Sequence, residues 1–282
     1  MVVVSIIIWR RMVRRGALRL LILPDLAGRL LVLFFVSWGY NYACRPVEAP
    51  VVQRIDDSIL LEAGMRLTER MNTTSRDQRL LEVSPVTEAE IHQLHLAAAQ
   101  VFGEYNIPSA GRPIPKTIPF GWLRKAGITG IYFPFSAEPH VDGSMLHVQQ
   151  VFVSAHEMAH AYGIAGEGEA DYIAFKMLMR AAEIDPSNAG FRYCAGMELL
   201  RSIRRRLYQS APELKARLDS ALAPVLAADL AAIRANARQY SEWIPGMQQE
   251  MNDRYLKTMG IASGTASYDE FIELVLRDSI WP

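Results

Sequence analysis

The 282-residue chain has a formal net charge of zero, with 50% hydrophobic and 21% charged residues. Zero net charge argues against a dedicated nucleic-acid binder, which shows a basic surplus, so nucleic acid is not an expected partner. The length is ample for one sizeable core with an anchor besides, and two cysteines, Cys44 and Cys194, read as free thiols rather than a disulfide framework.

Residues 1–45 differ from the rest. Arg10, Arg11, Arg14, Arg15, Arg19, Arg29 and Arg45 stand there against one acid, Asp25, which leaves the remainder mildly acidic. MVVVSIIIW is apolar but too short to cross a bilayer alone, and reads as the remnant of an earlier span. The strongest uninterrupted apolar stretch runs from Leu30 to Cys44, slightly short of the ~20 residues of a span. Arg29 can snorkel to extend it, and Trp38, Tyr40 and Tyr42 fall where an interfacial aromatic belt would lie. A cleaved signal peptide and a lipoprotein signal both fit poorly, because Asn41 and Tyr42 precede Ala43 and Cys44. A buried core helix is the competing reading; an uncleaved N-terminal transmembrane helix in contact with membrane lipid is expected. Arginines gather before the stretch, with only Arg45 and Arg54 close after it. The positive-inside rule then puts the rest of the chain on the extracytoplasmic side of a cell membrane. The expected division is a membrane segment, 1–45, and one domain, 46–282.

Within that domain, apolar residues recur at helical spacing from Val51 to Met71 (Ile55, Ile59, Leu60, Ala63, Leu67). Ser84-Pro85 is a break. Thr87-Glu88-Ala89-Glu90 has the capping-box pattern for a helix through Ile91, Leu94 and Ala98. Four prolines between Pro108 and Pro119 predict an extended loop. Gly127–Phe135 (GITGIYFPF) reads as β, with Pro134 restricting it to an edge or a strand end. Helix dominates from Gln149 onward. Asp185-Pro186-Ser187 is expected to start a helix through Tyr193 and Leu199, with RSIRRRLYQS as its solvated polar face and end. Two more helices are expected between Pro212 and Arg254. The fold class is therefore mostly α (α+β), with one small β element.

The chemistry gathers in VFVSAHEMAHAYGIAGEGEADY, residues 151–172. On a helix His156 and His160 share one face and can present imidazole nitrogens to a single Zn2+. Glu157 lies beside them, within reach of a metal-bound water, while Met158 and Ala159 point to the core. Gly163 supplies a helix stop. Zinc needs a third protein ligand and leaves a fourth position to water. Glu167 and Asp171 share the face of a following helix, which suits Glu167 as that ligand and Asp171 as the acceptor fixing a ligand histidine's tautomer. Glu169 lies roughly 200° from Glu167 around the same axis and cannot also face the metal.

The expected reaction is peptide-bond hydrolysis, with Glu157 as general base and Tyr193, Arg192, His140 or His147 as candidates for stabilising the oxyanion, Tyr193 first among them. His92 and His95 read as structural. The β segment before the motif can offer an edge to an extended peptide or protein substrate.

WGYNYACRP, GITGIYFPFSAEPHV, HEMAHAYGIAGEGEADYIAF, NDRYLKTMG and SYDEFIELVL together resemble a bacterial family of multi-span membrane proteins with a zincin-like domain, domain of unknown function 3810. The resemblance covers most of the chain and implies a membrane-anchored zinc peptidase; it also points to Glu167 as ligand. It implies no particular substrate, and the N-terminus is shorter than the several spans usual in the family. A non-catalytic envelope metal-binding or scaffold protein is the alternative, which the intact Glu157 disfavours. Amide hydrolysis on cell-wall peptide is a third reading that the motif does not separate from protein cleavage.

Overall fold

The computed structural model describes residues 19–39, 41, 44, 55–74, 76–108, 113–240, 243, 246, 250 and 270–278, the side chains of 19–23 excepted. MVVVSIIIW, the RRMVRR cluster, Tyr40, Tyr42, Arg45, Arg54 and NDRYLKTMG lie outside these residues.

Helix α1, Arg19–Ser37, includes Pro24. It begins and ends earlier than the expected stretch from Leu30 to Cys44. Arg29 Nε lies 2.9 Å from Asp25 Oδ2, one turn back. Among the described residues no helix is long and apolar enough to cross a membrane. Trp38, expected in a lipid belt, is instead buried, because its indole packs on Tyr132 (ring centroids 4.7 Å apart) and on His160 (6.1 Å).

The domain is built around helices α2 (Asp57–Thr73), α3 (Glu88–Glu104), α5 (His147–Ala161), α6 (Glu167–Ile184) and α7 (Gly190–Ser210). The Thr87 capping box forms as expected: Thr87 Oγ1 accepts from the Glu90 amide and Glu90 accepts from the Thr87 amide. Helix α5 is buried along nearly its whole length, its polar His147, Gln150, Ser154, His156, Glu157 and His160 included. Leu94, Ala98 and Phe102 of α3, Ile173 and Met177 of α6, and Leu199 and Ile203 of α7 belong to the same core. Phe102 and Tyr162 stack with centroids 3.9 Å apart. Short helices α8 (Pro212–Ser220) and α9 (Pro224–Arg238), each with Pro at its first turn, follow as expected. Helix α10, Glu270–Arg277, buries Phe271, Ile272, Leu274 and Val275.

Between α3 and α5 in the chain a small sheet forms, and it packs on α5. Strands β1 (Lys116–Ile118), β2 (Gly130–Phe133) and β3 (Glu138–Asp142) take the order β1-β3-β2, with β1 parallel and β2 antiparallel to β3. A one-turn helix α4, Trp122–Lys125, separates β1 from β2. Strand β2 ends before Pro134, as the missing N–H requires. Strand β3 and α4 were not foreseen, and β1 lies in the expected proline loop.

Two expectations about α7 need correction. The helix starts at Gly190, not at Asp185; Asp185 Oδ1 instead accepts from the Ser187 amide at 3.2 Å and holds a turn. The run RSIRRRLYQS does end the helix at Ser210 and Arg205 is exposed, but the run is not solvated throughout. Arg206 is fully buried, paired to Glu273 and donating to the Ile55 carbonyl at 3.0 Å, and Arg204 is buried against Asp219 at 2.7 Å. These pairs tie α10 and α8 to the body, so the charges are structural.

Candidate metal centre

Helix α5 carries His156, Glu157 and His160 in the middle of the core, and all three are buried. It ends in a turn that also builds the site. Gly163 adopts φ +99°, a left-handed conformation that suits glycine. Its amide donates to the His160 carbonyl at 2.8 Å, and the Ile164 amide donates to the Ala159 carbonyl at 3.2 Å, the paired bonds of a Schellman motif. The reversal brings the Ile164 carbonyl within 2.7 Å of His160 Nδ1. The glycine stop read from the sequence therefore does more than end the helix.

Helix α6 then opens on Glu167. His156 Nε2 and His160 Nε2 lie 3.0 Å apart, and Glu167 Oε2 lies 3.4 Å from the first and 3.8 Å from the second. One turn along α6, Asp171 Oδ1 is 2.7 Å from His156 Nδ1. Among the described residues His156, His160 and Glu167 are the group whose ligand atoms converge on one point. Glu169 is not part of it.

The hydrogen-bond chemistry of this trio is informative. A backbone carbonyl and a carboxylate can only accept, so Ile164 and Asp171 fix a proton on both Nδ1 atoms. The two Nε2 lone pairs then face each other and a carboxylate, with acceptors converging and no donor among them. A positive species must sit between them. One proton can bridge the two imidazoles but leaves Glu167 without a close donor. Zinc bound tetrahedrally at roughly 2.0–2.1 Å separates its ligand atoms by roughly 3.3 Å, close to the three distances here, so the residues fit the ion. Without a metal, burial works against charging His156 and His160, yet Asp171 and Glu167 raise the first and Glu167 the second above their ordinary value. Burial likewise works against the Glu167 carboxylate, but the two histidines hold it well below the usual range.

Glu157 is set apart from the trio. Burial pushes its carboxyl up to about 7, against the pull of His156 and His160, and its Oε2 is buried with no hydrogen-bond partner among the described residues. Strand β2 crosses directly over it. A Cβ at Gly130 would meet Glu157 Oε1 at 2.4 Å and Val153 Cγ1 at 2.7 Å, so only glycine lets the strand approach. A glycine inside a strand pattern is a readable sign of close approach, and Gly130 is the site residue that the sequence reading passed over. Trp38, edge-on to His160, had no such signal.

Of the candidate oxyanion stabilisers, Tyr193 and His147 are engaged in other networks. Tyr193, the leading candidate, is buried and its hydroxyl donates to Asp229 at 2.5 Å, where Arg76 also pairs; the phenol is committed to a core network. His147 uses Nε2 on Glu90 at 2.9 Å and Nδ1 on the Ser84 carbonyl at 3.0 Å. Arg192 is exposed at the start of α7. His140 lies on β3, opposite Ile131, with Nδ1 3.1 Å from the Glu138 carbonyl.

Fold and site together define a mostly helical protein with a largely buried His-His-Glu cluster of metal-binding geometry beside a small mixed sheet. No curated protein and no solved structure was found to match the chain. It belongs to the family described as protein of unknown function (DUF3810), whose sequence profile matches residues 1–276.

Proposed function

We propose that the protein is a membrane-anchored zinc metallopeptidase with a zincin-like domain, holding Zn2+ through His156, His160 and Glu167. The convergence of three acceptor atoms at 3.0, 3.4 and 3.8 Å with both Nδ1 protons already spent carries this reading. A bound zinc ion supplies a Lewis acid for the scissile carbonyl and a water of lowered pKa. Glu157 takes the proton of the attacking water and passes it to the leaving amine. Asp171 and Ile164 keep the ligand histidines in the tautomer that leaves Nε2 free to coordinate. Strand β2 pairs only with β3 among the described residues, so its other edge suits an extended substrate backbone laid across Glu157. The anchor is the exposed apolar helix α1, with the domain outside the cytoplasm on the arginine asymmetry.

Purified protein should hold about one zinc per chain. Glu157→Gln should keep that zinc and lose peptide hydrolysis by about a thousandfold. Elemental analysis that finds no transition metal after zinc is offered at neutral pH would overturn the ligand set, and an undiminished rate in Glu157→Gln would overturn the base.

A further inference from the structure

Helix α1 stands clear of the domain. From Pro24 to Ser37 its side chains are exposed, Phe34 alone being half-buried. Leu30, Leu31, Val32 and Leu33 are consecutive, and successive residues step about 100° around a helix, so apolar surface covers the whole circumference. A protein partner covers one face of such a helix; lipid covers all of them. The stretch from Leu30 to Val36 is roughly 10 Å long at 1.5 Å per residue, within one leaflet of a hydrocarbon core about 30 Å thick.

The metal centre sits at the end of this helix. Trp38 is the first residue past Ser37, its amide still bonded to the Phe34 carbonyl at 2.8 Å. Its indole lies 6.1 Å from the His160 ring and 4.7 Å from the Tyr132 ring of β2. The chain turns here, with the Asn41 amide bonded to the Trp38 carbonyl at 2.9 Å. Asn41 then lies beside Gly163, where an added Cβ would meet its Oδ1 at 3.3 Å. One residue beyond Tyr132, Phe133 is exposed and packs edge-on against the exposed Phe135, centroids 5.4 Å apart. Exposed aromatic rings suit a membrane–water interface. The headgroup layer adds only about 5–8 Å on each side of the hydrocarbon, so a ligand histidine one indole away from the helix end falls in or at the edge of that layer.

We infer that the metal centre works in the headgroup layer of a lipid bilayer, and that its substrates are extended polypeptide segments leaving that bilayer. The placement stands on the geometry of α1, Trp38 and His160; the substrate class also rests on the peptidase reading. Strand β2, held at this depth by the Trp38–Tyr132 contact, offers its edge to backbones that membrane anchoring already concentrates there, whereas a soluble protein has to bring an extended stretch down to it.

The test uses the full chain, with Cys44→Ser to remove the exposed thiol, in vesicles of phosphatidylcholine and phosphatidylglycerol containing headgroup-level nitroxide lipid. A fluorophore is placed on Val32→Cys, Phe133→Cys or Tyr208→Cys, all exposed positions. Quenching at 32 and 133 but not at 208 is expected. A probe at 133 as water-exposed as that at 208, with or without quenching at 32, overturns the placement. In the same vesicles, a peptide mixture carrying a transmembrane anchor should be cleaved at least about tenfold faster than the same mixture free, a preference lost in detergent. Equal rates in vesicles overturn the substrate class and leave hydrolysis standing. No cleavage of either mixture, with the expected quenching, removes the peptidase reading and supports the placement.

Discussion

Helix α5 carries two buried histidine sites, one at its start and one near its end, and they are chemically opposite. At the start, His147 faces acceptors on both ring nitrogens, Glu90 and the Ser84 carbonyl. It can satisfy both by being an imidazolium, and Glu90 is further held by Arg79 at 2.9 Å and by the Thr87 amide and hydroxyl. Donors and acceptors balance, and the network is structural. Near the end, His156 and His160 each spend one proton on an acceptor and turn the other nitrogen toward more acceptors. Donors are missing, and the deficit has the dimensions of a metal site. Burial of histidine beside glutamate is common to both; the donor count separates them.

Removing a ligand breaks that comparison most severely. Glu167→Ala should reduce zinc affinity by more than the roughly 10–100-fold typical of losing an outer partner, and Asp171→Ala by about tenfold. Glu169→Ala should leave the metal in place. A zinc titration that ranks Glu169→Ala below Glu167→Ala would transfer the third ligand to the other glutamate.

The opposite end of α5 should respond in stability rather than in metal. His147→Gln should cost about 2 kcal/mol, the scale of a hydrogen bond to a charged group, with zinc content unchanged. Burial favours neutral Glu90, but the hydrogen bonds from His147 and Thr87 outweigh it and hold the carboxyl down at about 2. Burial also disfavours charged His147, but Glu90 and the Ser84 carbonyl raise it above its ordinary 6.5. Glu90 therefore contributes fully above its ordinary value of 4.5 and loses its contribution as the pH falls toward 2. His147 contributes fully below 6.5 and loses its contribution as the pH rises through its raised value. The difference between wild type and His147→Gln in denaturant unfolding should be largest between those ordinary values and shrink in alkaline buffer. A constant difference at all pH would mean that packing, not charge, holds this end.

Much of the site was legible because it is local. The spacing of His156 and His160, the helix stop at Gly163, the pair Glu167 and Asp171, and the Thr87 box each depend on neighbours within a few turns, where chain geometry alone decides which faces coincide. What was missed or misread is long-range. The flanks of Trp38 say nothing of His160, and only the folded chain brings the two together. Tyr193 and Arg206 look available or solvated from their segments; Asp229 and Glu273, far along the sequence, claim them. Strand β3 is short, polar at both ends and contains Pro139, so neither alternation nor composition announces it, although it is the strand that holds the other two.

The smallest expected effect probes the join between local and long-range order. Gly163→Ala places a Cβ where φ is +99° and where Asn41 Oδ1 waits at 3.3 Å. The strained backbone should cost about 1 kcal/mol of stability. The Schellman turn should persist with a small shift, since its two amide bonds do not involve the new methyl. That shift moves the Ile164 carbonyl, which among the described residues fixes the Nδ1 proton of His160. A neutral carbonyl holds an imidazole less firmly than the Asp171 carboxylate does. Zinc affinity in Gly163→Ala should therefore fall by less than the roughly tenfold expected of Asp171→Ala. Paired zinc titration and denaturant unfolding check both parts. An unchanged affinity beside the expected stability loss would show that His160 keeps its tautomer without Ile164, leaving the turn as a helix stop alone.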